Sequence, residues 1–353
     1  MNSMKHIKTF YKLICLLLCA AALLSLAACG ESKMVQSQIF AMNTVMTLTA
    51  YGKNGEDGLA AAESIIQSMD LMLDPELETS KVYELNNANG ENVTIPGQMA
   101  EMLNTAKQVY ERSGGAYDPS IYPLIKRWGF VDGKYYVPTE EEIFSDLSRL
   151  CFDQLTITSF PSSGSYAVSF PAQGQLSFAA IGKGCASKSA VEAMKNAGVE
   201  SGIISMGGNV QTLGLKPDGT EWIVGIQDPN NPASYLGVIN VGETAVVTSG
   251  SFQSSFTSRG KTYHHLFNPK TGYPITNSLS SITVICEDGT LADCLSTALF
   301  VMGESRALNY WRSYGKDEFE LIMVTTDNRI VCTAGLIEEF TLTNENYSVK
   351  YSE

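Results

Sequence analysis

Gln38–Tyr51 reads QIFAMNTVMTLTAY, and soon after it Leu59, Ala62, Ile65, Ile66, Met69 and Met72 fall at helical spacing. The first stretch is rich in threonine, β-branched and aromatic residues and stops at Gly52, which predicts a strand. The second predicts a helix over Asp57–Leu73. The order of the later elements decides the fold class. Met99–Ser113 reads as another helix, set off by Pro96-Gly97 before it and Gly114-Gly115 after it. Tyr166–Ala180 reads as a hairpin with Gly174 near its turn, and Lys188–Asn196 as a helix. Ile203-Ile204, Trp222–Gln227, Ala245–Ser249 and Ser280–Cys286 read as strands. Leu291–Met302 is a helix stopped by Gly303, and Leu321–Thr325 with Ile330–Thr333 a closing hairpin. Strands bunch irregularly between helices. That order predicts an α+β fold of mixed sheets with packed helices, not a doubly wound sheet.

Upstream of this region, Lys5, Lys8 and Lys12 lead into an apolar run from Leu13 to Ala28, with no acid before Glu31. A basic start, a short apolar core and small residues make an export signal over residues 1–28. Leu26-Ala27-Ala28-Cys29 has the pattern of a lipobox, in which Cys29 is acylated and becomes the new N-terminus. The alternative, an uncleaved anchor helix, also leaves the folded part outside the cytoplasmic membrane. Residues 29–36 then read as a lipid-anchored tether and 37–353 as the folded domain. With the three leader lysines set aside, 24 basic and 37 acidic residues leave a formal charge of −16. Such a field repels nucleic acid and anionic head groups. Cys151, Cys185, Cys286, Cys294 and Cys332 are odd in number and scattered, so buried free thiols are expected rather than disulfides or a zinc site.

Four groups of residues could carry chemistry. His264 and His265 are the only histidines beyond the leader, within KTYHHLFNPKTGYP. Neighbouring side chains of an extended segment face opposite ways, so only one enters a given site. Taken alone, such a histidine is more often structural; the Asn-Pro-Lys-Thr-Gly turn beside it strengthens the functional reading. In Leu291-Ala292-Asp293-Cys294-Leu295-Ser296-Thr297, Asp293 and Thr297 are four apart and share a helix face. They suit a hard cation that takes its other ligands from water and phosphates. The same spacing equally serves an acid at a helix N-terminus and a threonine bonded to its own backbone. Two glycine-rich stretches could meet phosphates, or could be simple tight turns: Ala179–Gly184, which follows a strand and opens a helix, and Ser205–Asn209, which follows the strand Ile203-Ile204. Tyr117-Asp118 and Trp128-Gly129-Phe130 place an acid and aromatics around turns, where rings sandwich a flat heterocycle or merely fill a core.

In their order, these segments say more than each does alone. GGAYDPSIYPLIKRWGF, AAIGKGCAS, SMGGNVQTLG, AVVTSG, HHLFNPKTGYP and ADCLSTALFVMG together resemble the ApbE-type FAD:protein FMN transferases, from about Phe40 to Gly303 or beyond. The resemblance implies that FAD is split at its pyrophosphate with Mg2+, AMP leaves, and FMN is joined through phosphate to a threonine or serine of an acceptor flavoprotein. It implies Asp293, Thr297 and the Ala180 carbonyl as metal ligands, and His265 as the base, with Asp118 beside it in the catalytic set. Met42, Tyr117, Asp118, Lys183, Gly207, Gly208 and Asn209 would surround FAD, and Lys270 and Thr271 would flank the reacting phosphate. The chain departs from the family pattern at four acids, replaced by Ser177, Lys188, Ser251 and Asn268, changes that could reshape the pocket. Two other functions use the same residues: an Mg2+-dependent FAD pyrophosphatase, in which water replaces the acceptor hydroxyl, and an extracytoplasmic flavin-binding lipoprotein that has lost its chemistry. A non-enzymatic scaffold would require the collinear motifs to be coincidence.

Overall fold

The stretch QIFAMNTVMTLTAY forms two strands, not one. In the computed structural model, which describes residues 33–160 and 164–353, β1 (Met34–Ala41) pairs antiparallel with β2 (Thr44–Tyr51). The turn between them is Met42-Asn43, with φ of 48° and 59°. Two left-handed residues match the twist of a two-residue hairpin. No glycine marks the turn, so the strand pattern runs straight through it. Strand β1 also takes in Met34–Gln36, the end of the expected tether. The export leader and Cys29 lie outside the described residues.

After the hairpin come α1 (Gly55–Leu73), α2 (Lys81–Asn86), β3 (Val93–Ile95), α3 (Gly97–Arg112), α4 (Tyr122–Arg127) and α5 (Glu140–Leu147). Next are β4 (Thr156–Phe160) and β5 (Ser165–Ser169), then α6 (Gly182–Asn196). The expected Tyr166–Ala180 hairpin is therefore displaced: β5 pairs back onto β4, and Gly174 sits in a later turn closed on the Pro171 carbonyl at 2.9 Å. A run of strands comes next: β6 (Ser201–Met206), β7 (Asn209–Leu213), β8 (Trp222–Asp228), β9 (Asn231–Val241), β10 (Ala245–Gly250) and the pair β11 (Ser255–Ser258) and β12 (Lys261–His264). The chain continues through β13 (Leu279–Cys286), α7 (Gly289–Met302), α8 (Glu304–Tyr314), β14 (Phe319–Thr325), β15 (Arg329–Thr333), β16 (Phe340–Leu342) and β17 (Ser348–Ser352). The expected closing hairpin β14–β15 forms. It does not end the chain, because β17 adds parallel to β15.

Nine strands make the central sheet, in the order β1-β2-β6-β7-β10-β13-β14-β15-β17. Its strands alternate between two cores. Ala245, Val247, Ile282, Val284, Leu321 and Met323 face a layer built on α3, α6 and α7. Val246, Ile322, Val324, Ile330 and Cys332 face the small sheet β16-β9-β8 through Trp222, Val224, Ile226 and Phe340. This is period-two alternation with both faces covered, so the central strands β10, β13 and β14 are largely apolar on both sides. Helices α1 and α6 pack over the β2–β6 end through Leu59, Ile66, Val191 and Met194. A further aromatic cluster gathers on Trp128, with Leu124, Ile143 and Phe267. The five cysteines after the leader are buried and free. Among the described residues, no helix is long and apolar enough to cross a membrane.

Candidate active site

A cleft of about 200 Å³ gathers residues from well-separated parts of the chain. Ala116–Pro119 and Ser177–Lys183 contribute Tyr117, Asp118, Ser177, Ala180 and Lys183. The β6–β7 turn contributes Gly207, Gly208 and Asn209. Strand β10 adds Val247, Thr248 and Ser249; Gln253, His265–Phe267 and Pro269 form another wall; α7 supplies Asp293 and Thr297.

The start of α6 and the start of α7 approach backbone to backbone. A Cβ on Gly184 would lie 2.1 Å from the Gly289 carbonyl oxygen and 2.6 Å from Asp293 Cβ, so only glycine fits. The approach lets the Gly184 N–H donate to Asp293 Oδ2 at 2.8 Å. Asp293 thus satisfies a helix N-terminus, that of the neighbouring helix. Its own helix is capped by Asp288, which accepts from the Thr290 and Leu291 N–H groups at 2.9 and 3.1 Å. Burial pushes the Asp293 carboxyl above its usual range, opposed by Lys183 and the helix N–H groups. Thr297 Oγ1 lies 3.5 Å from Ser249 Oγ. Among the described residues, no three His, Cys, Asp or Glu side chains cluster to hold a metal. A buried carboxylate without an ion-pair partner, a hydroxyl one turn on and the nearby Ala180 carbonyl fit a cation whose remaining ligands are water and substrate oxygens.

The two histidines separate cleanly. His264 Nε2 lies 2.9 Å from the Ile275 carbonyl, so it carries the proton, and Nδ1 accepts the Leu266 N–H at 3.2 Å. Both nitrogens are occupied, and His264 is outside the cleft wall. His265 Nδ1 lies 3.2 Å from the Ser254 carbonyl. A carbonyl only accepts, so Nδ1 is protonated and Nε2 keeps a lone pair. Burial, with Lys183 and His264 nearby, pushes the His265 imidazole down to about 4. At neutral pH it is an uncharged acceptor.

Asp118 is held by a tight local turn: its Oδ1 accepts from the Ser120 N–H and hydroxyl at 2.8 and 2.6 Å. Burial raises its pKa in spite of these bonds. Tyr117 is buried beside it. Gly207 and Gly208 take φ of 51° and 95°, which opens the β6–β7 turn into the cleft. Asn209 beside them is fully buried, and among the described residues neither its amide nitrogen nor its oxygen has a partner. Buried amides are normally paired, and this unpaired one lines the cleft.

Three expected residues stand apart from the enclosed part of the cleft. Met42 is half-buried in the β1–β2 turn, its N–H donating to Asp70 Oδ1 at 2.9 Å. Lys270 and Thr271 are exposed on the turn after Pro269. Of the four replaced acids, only Ser177 lines the cleft. Lys188 points elsewhere, pairing with Asp288 Oδ2 at 2.8 Å, so its charge is matched locally. The Ser251 hydroxyl donates to the Ser280 carbonyl at 3.4 Å. Asn268 Oδ1 accepts the Lys270 N–H at 2.9 Å, a turn bond that an aspartate would also make. Gln253, Thr248 and Ser249 line the cleft without having been singled out in the sequence; Gln253 Nε2 donates to the Thr248 carbonyl at 2.9 Å. The amide in TSGSFQSS was its only signal.

Comparison with known proteins agrees in sequence and in shape. The model of the ApbE family matches residues 42–323. The FAD:protein FMN transferase of Treponema pallidum is 28% identical over 287 residues, covering 78% of this chain and 79% of that one. That of Haemophilus influenzae is 27% identical over 335 residues, covering 91% and 95%. The crystal structure of the ApbE protein from Thermotoga maritima superposes with a TM-score of 0.76 at 25% identity, over 83% of this chain and 94% of that one. The apo Pseudomonas stutzeri flavinyl transferase ApbE gives 0.74 at 25% identity, over 91% and 96%.

Proposed function

The chain belongs to the ApbE family, and on that premise we propose that it is an Mg2+-dependent FAD:protein FMN transferase. It splits FAD at the pyrophosphate, releases AMP and joins FMN through phosphate to a threonine or serine of an acceptor flavoprotein. One observation carries this reading: Asp293, Thr297, Lys183 and His265, from three distant parts of the chain, line the same cleft.

Phosphoryl transfer needs positioning and charge neutralisation more than covalent help. Asp293, Thr297 and the Ala180 carbonyl would hold Mg2+, which neutralises charge on the pyrophosphate and on the departing AMP. Lys183 and the N–H groups opening α6 orient the phosphates. The acceptor hydroxyl oxygen forms the new bond to the FMN phosphorus as the bond to the AMP oxygen breaks. His265 Nε2 takes the hydroxyl proton. The anionic pyrophosphate offsets Lys183 and makes His265 a stronger base than in the free protein. The Asn209 amide, offering a donor and an acceptor inside the cleft, reads a polar edge of the bound nucleotide. The leader and lipobox would hold the enzyme outside the cytoplasmic membrane through lipid on Cys29.

The test is to incubate the exported part from Gly30 with FAD, Mg2+ and a flavinylation acceptor, and follow AMP and acceptor mass. FMN bound covalently to the acceptor supports transfer. AMP with free FMN alone would make it a pyrophosphatase, and intact bound FAD a flavin-binding relative without turnover.

A further inference from the structure

We propose that the β11–β12 hairpin is a docking rim for an acidic, extended segment of the acceptor protein, the segment that flanks the hydroxyl to be modified. The inference rests on the transfer reading and names how that second substrate is held.

Charge first sets this region apart. From Thr244 to Cys286 there is no aspartate or glutamate, in a chain with 37 of them, yet the span carries Arg259, Lys261 and Lys270. All three are exposed. None forms an ion pair among the described residues. Lys261 Nζ instead lies 5.2 Å over the Tyr263 ring. The neighbouring loop packs on the hairpin by stacking Tyr135 on Phe256, with centroids 4.9 Å apart and planes 11° apart. The acid of that loop, Asp132, is already paired with Lys134 at 3.0 Å. The rim is therefore a cationic surface on a strongly acidic protein.

Position then says which substrate it serves. The hairpin grows out of the cleft wall between Gln253 and His265. Arg259, at its tip, lies six residues beyond Gln253, roughly 20 Å of strand. A nucleotide held at Lys183 and Asp293 stays at the foot of the hairpin. The molecule that meets His265 and continues outward is the acceptor. An extended chain crossing Tyr135, which is 44% exposed, would bring its carboxylates to Arg259 and Lys261. Complementary charge at such a rim speeds encounter and sets specificity.

The test compares the exported protein, supplied with FAD and Mg2+, with its R259E/K261E variant and the milder R259Q/K261Q. The probes are an acceptor domain with acids beside its flavinylated threonine and the same domain with those acids changed to amides. The charge-reversed variant should raise the KM for the acidic acceptor by about ten-fold and abolish its salt dependence. KM for FAD and kcat should be unchanged, and the amide acceptor should respond little to either variant. If R259E/K261E misfolds, the glutamine pair should show the same change at smaller size. Equal KM for both acceptors with the wild type and the variants would overturn the proposal. So would loss of binding to phosphatidylglycerol vesicles with the acceptor KM intact, which would assign the rim to lipid. Calorimetric binding of the two acceptors separates the two readings. Charge-sensitive binding without covalent FMN would leave the rim standing and overturn transfer; transfer with charge-insensitive binding would do the reverse.

Discussion

Two buried aspartates, one on each side of the central sheet, are held in opposite ways. On the small-sheet face, Asp228 is 3% exposed and fully engaged. It accepts from the Tyr347 hydroxyl at 2.5 Å, from Asn344 Nδ2 at 3.0 Å and from the Asn230 N–H at 2.9 Å. On the helix face, Asp293 is 5% exposed and its carboxyl is pushed up by burial, while the Asn209 side chain has no hydrogen-bond partner among the described residues. A closed network fixes architecture, here the C-terminal segment against β8. An open one stores unmet hydrogen bonding for something that arrives later. Burial alone distinguishes neither; the count of partners does.

Removing each of the two aspartates in turn puts that contrast under the greatest strain. Asp293→Ala should lower Mg2+-dependent turnover by at least about a hundredfold while the melting temperature changes little. Asp228→Ala should cost roughly 3 kcal/mol of stability, by stranding the Tyr347 and Asn344 donors, with kcat per folded molecule kept. Turnover assays beside thermal melts read both, and an Asp293→Ala enzyme with full activity would break the comparison. The histidines give a smaller, sharper version. His265→Ala should lower kcat for transfer by about 10²–10⁴ with FAD affinity intact, whereas His264→Ala should act on stability. His265 also carries a pH signature. Its folded pKa near 4 lies below the ordinary 6.5, so the unfolded chain binds the extra proton. Stability should therefore fall as pH drops from about 6.5 to about 4, and His265→Ala should flatten part of that slope in acid titrations. The smallest effect is expected at Lys188, half-exposed against Asp288. Lys188→Asp, which restores the family's acid, should cost about 1 kcal/mol through like charges and leave kcat within about two-fold. A larger fall in kcat would place that position in the site after all.

Much of this was legible in the sequence, and the misreadings share a cause. Long helices with clean apolar spacing, Gly55–Leu73 and Gly97–Arg112, lie within a few residues of their expected bounds. A glycine-rich start blurred another: Ala179–Gly184 does open a helix, at Gly182, but the helical spacing is clear only from Lys188, because the first turn carries the close crossing rather than helix-favouring residues. The Met42-Asn43 turn was invisible because its left-handed residues are not glycines. At the site, residue order picked out Asp293, Thr297, Lys183 and His265. It could not show where Lys188, Ser251 or Asn268 point, since a substitution names a side chain and not its partner. Gln253 went unseen for the converse reason: it has no charge to attract notice, and only the folded turn after β10 brings it over Gly208.

The Gly184–Gly289 crossing has a mechanical consequence. With glycine on both sides of the crossing, the separation of Asp293 from the opening turn of α6 is set by main-chain contact rather than by packing that could relax. The two helices form one strut, and anything gripped between them is held to main-chain tolerance.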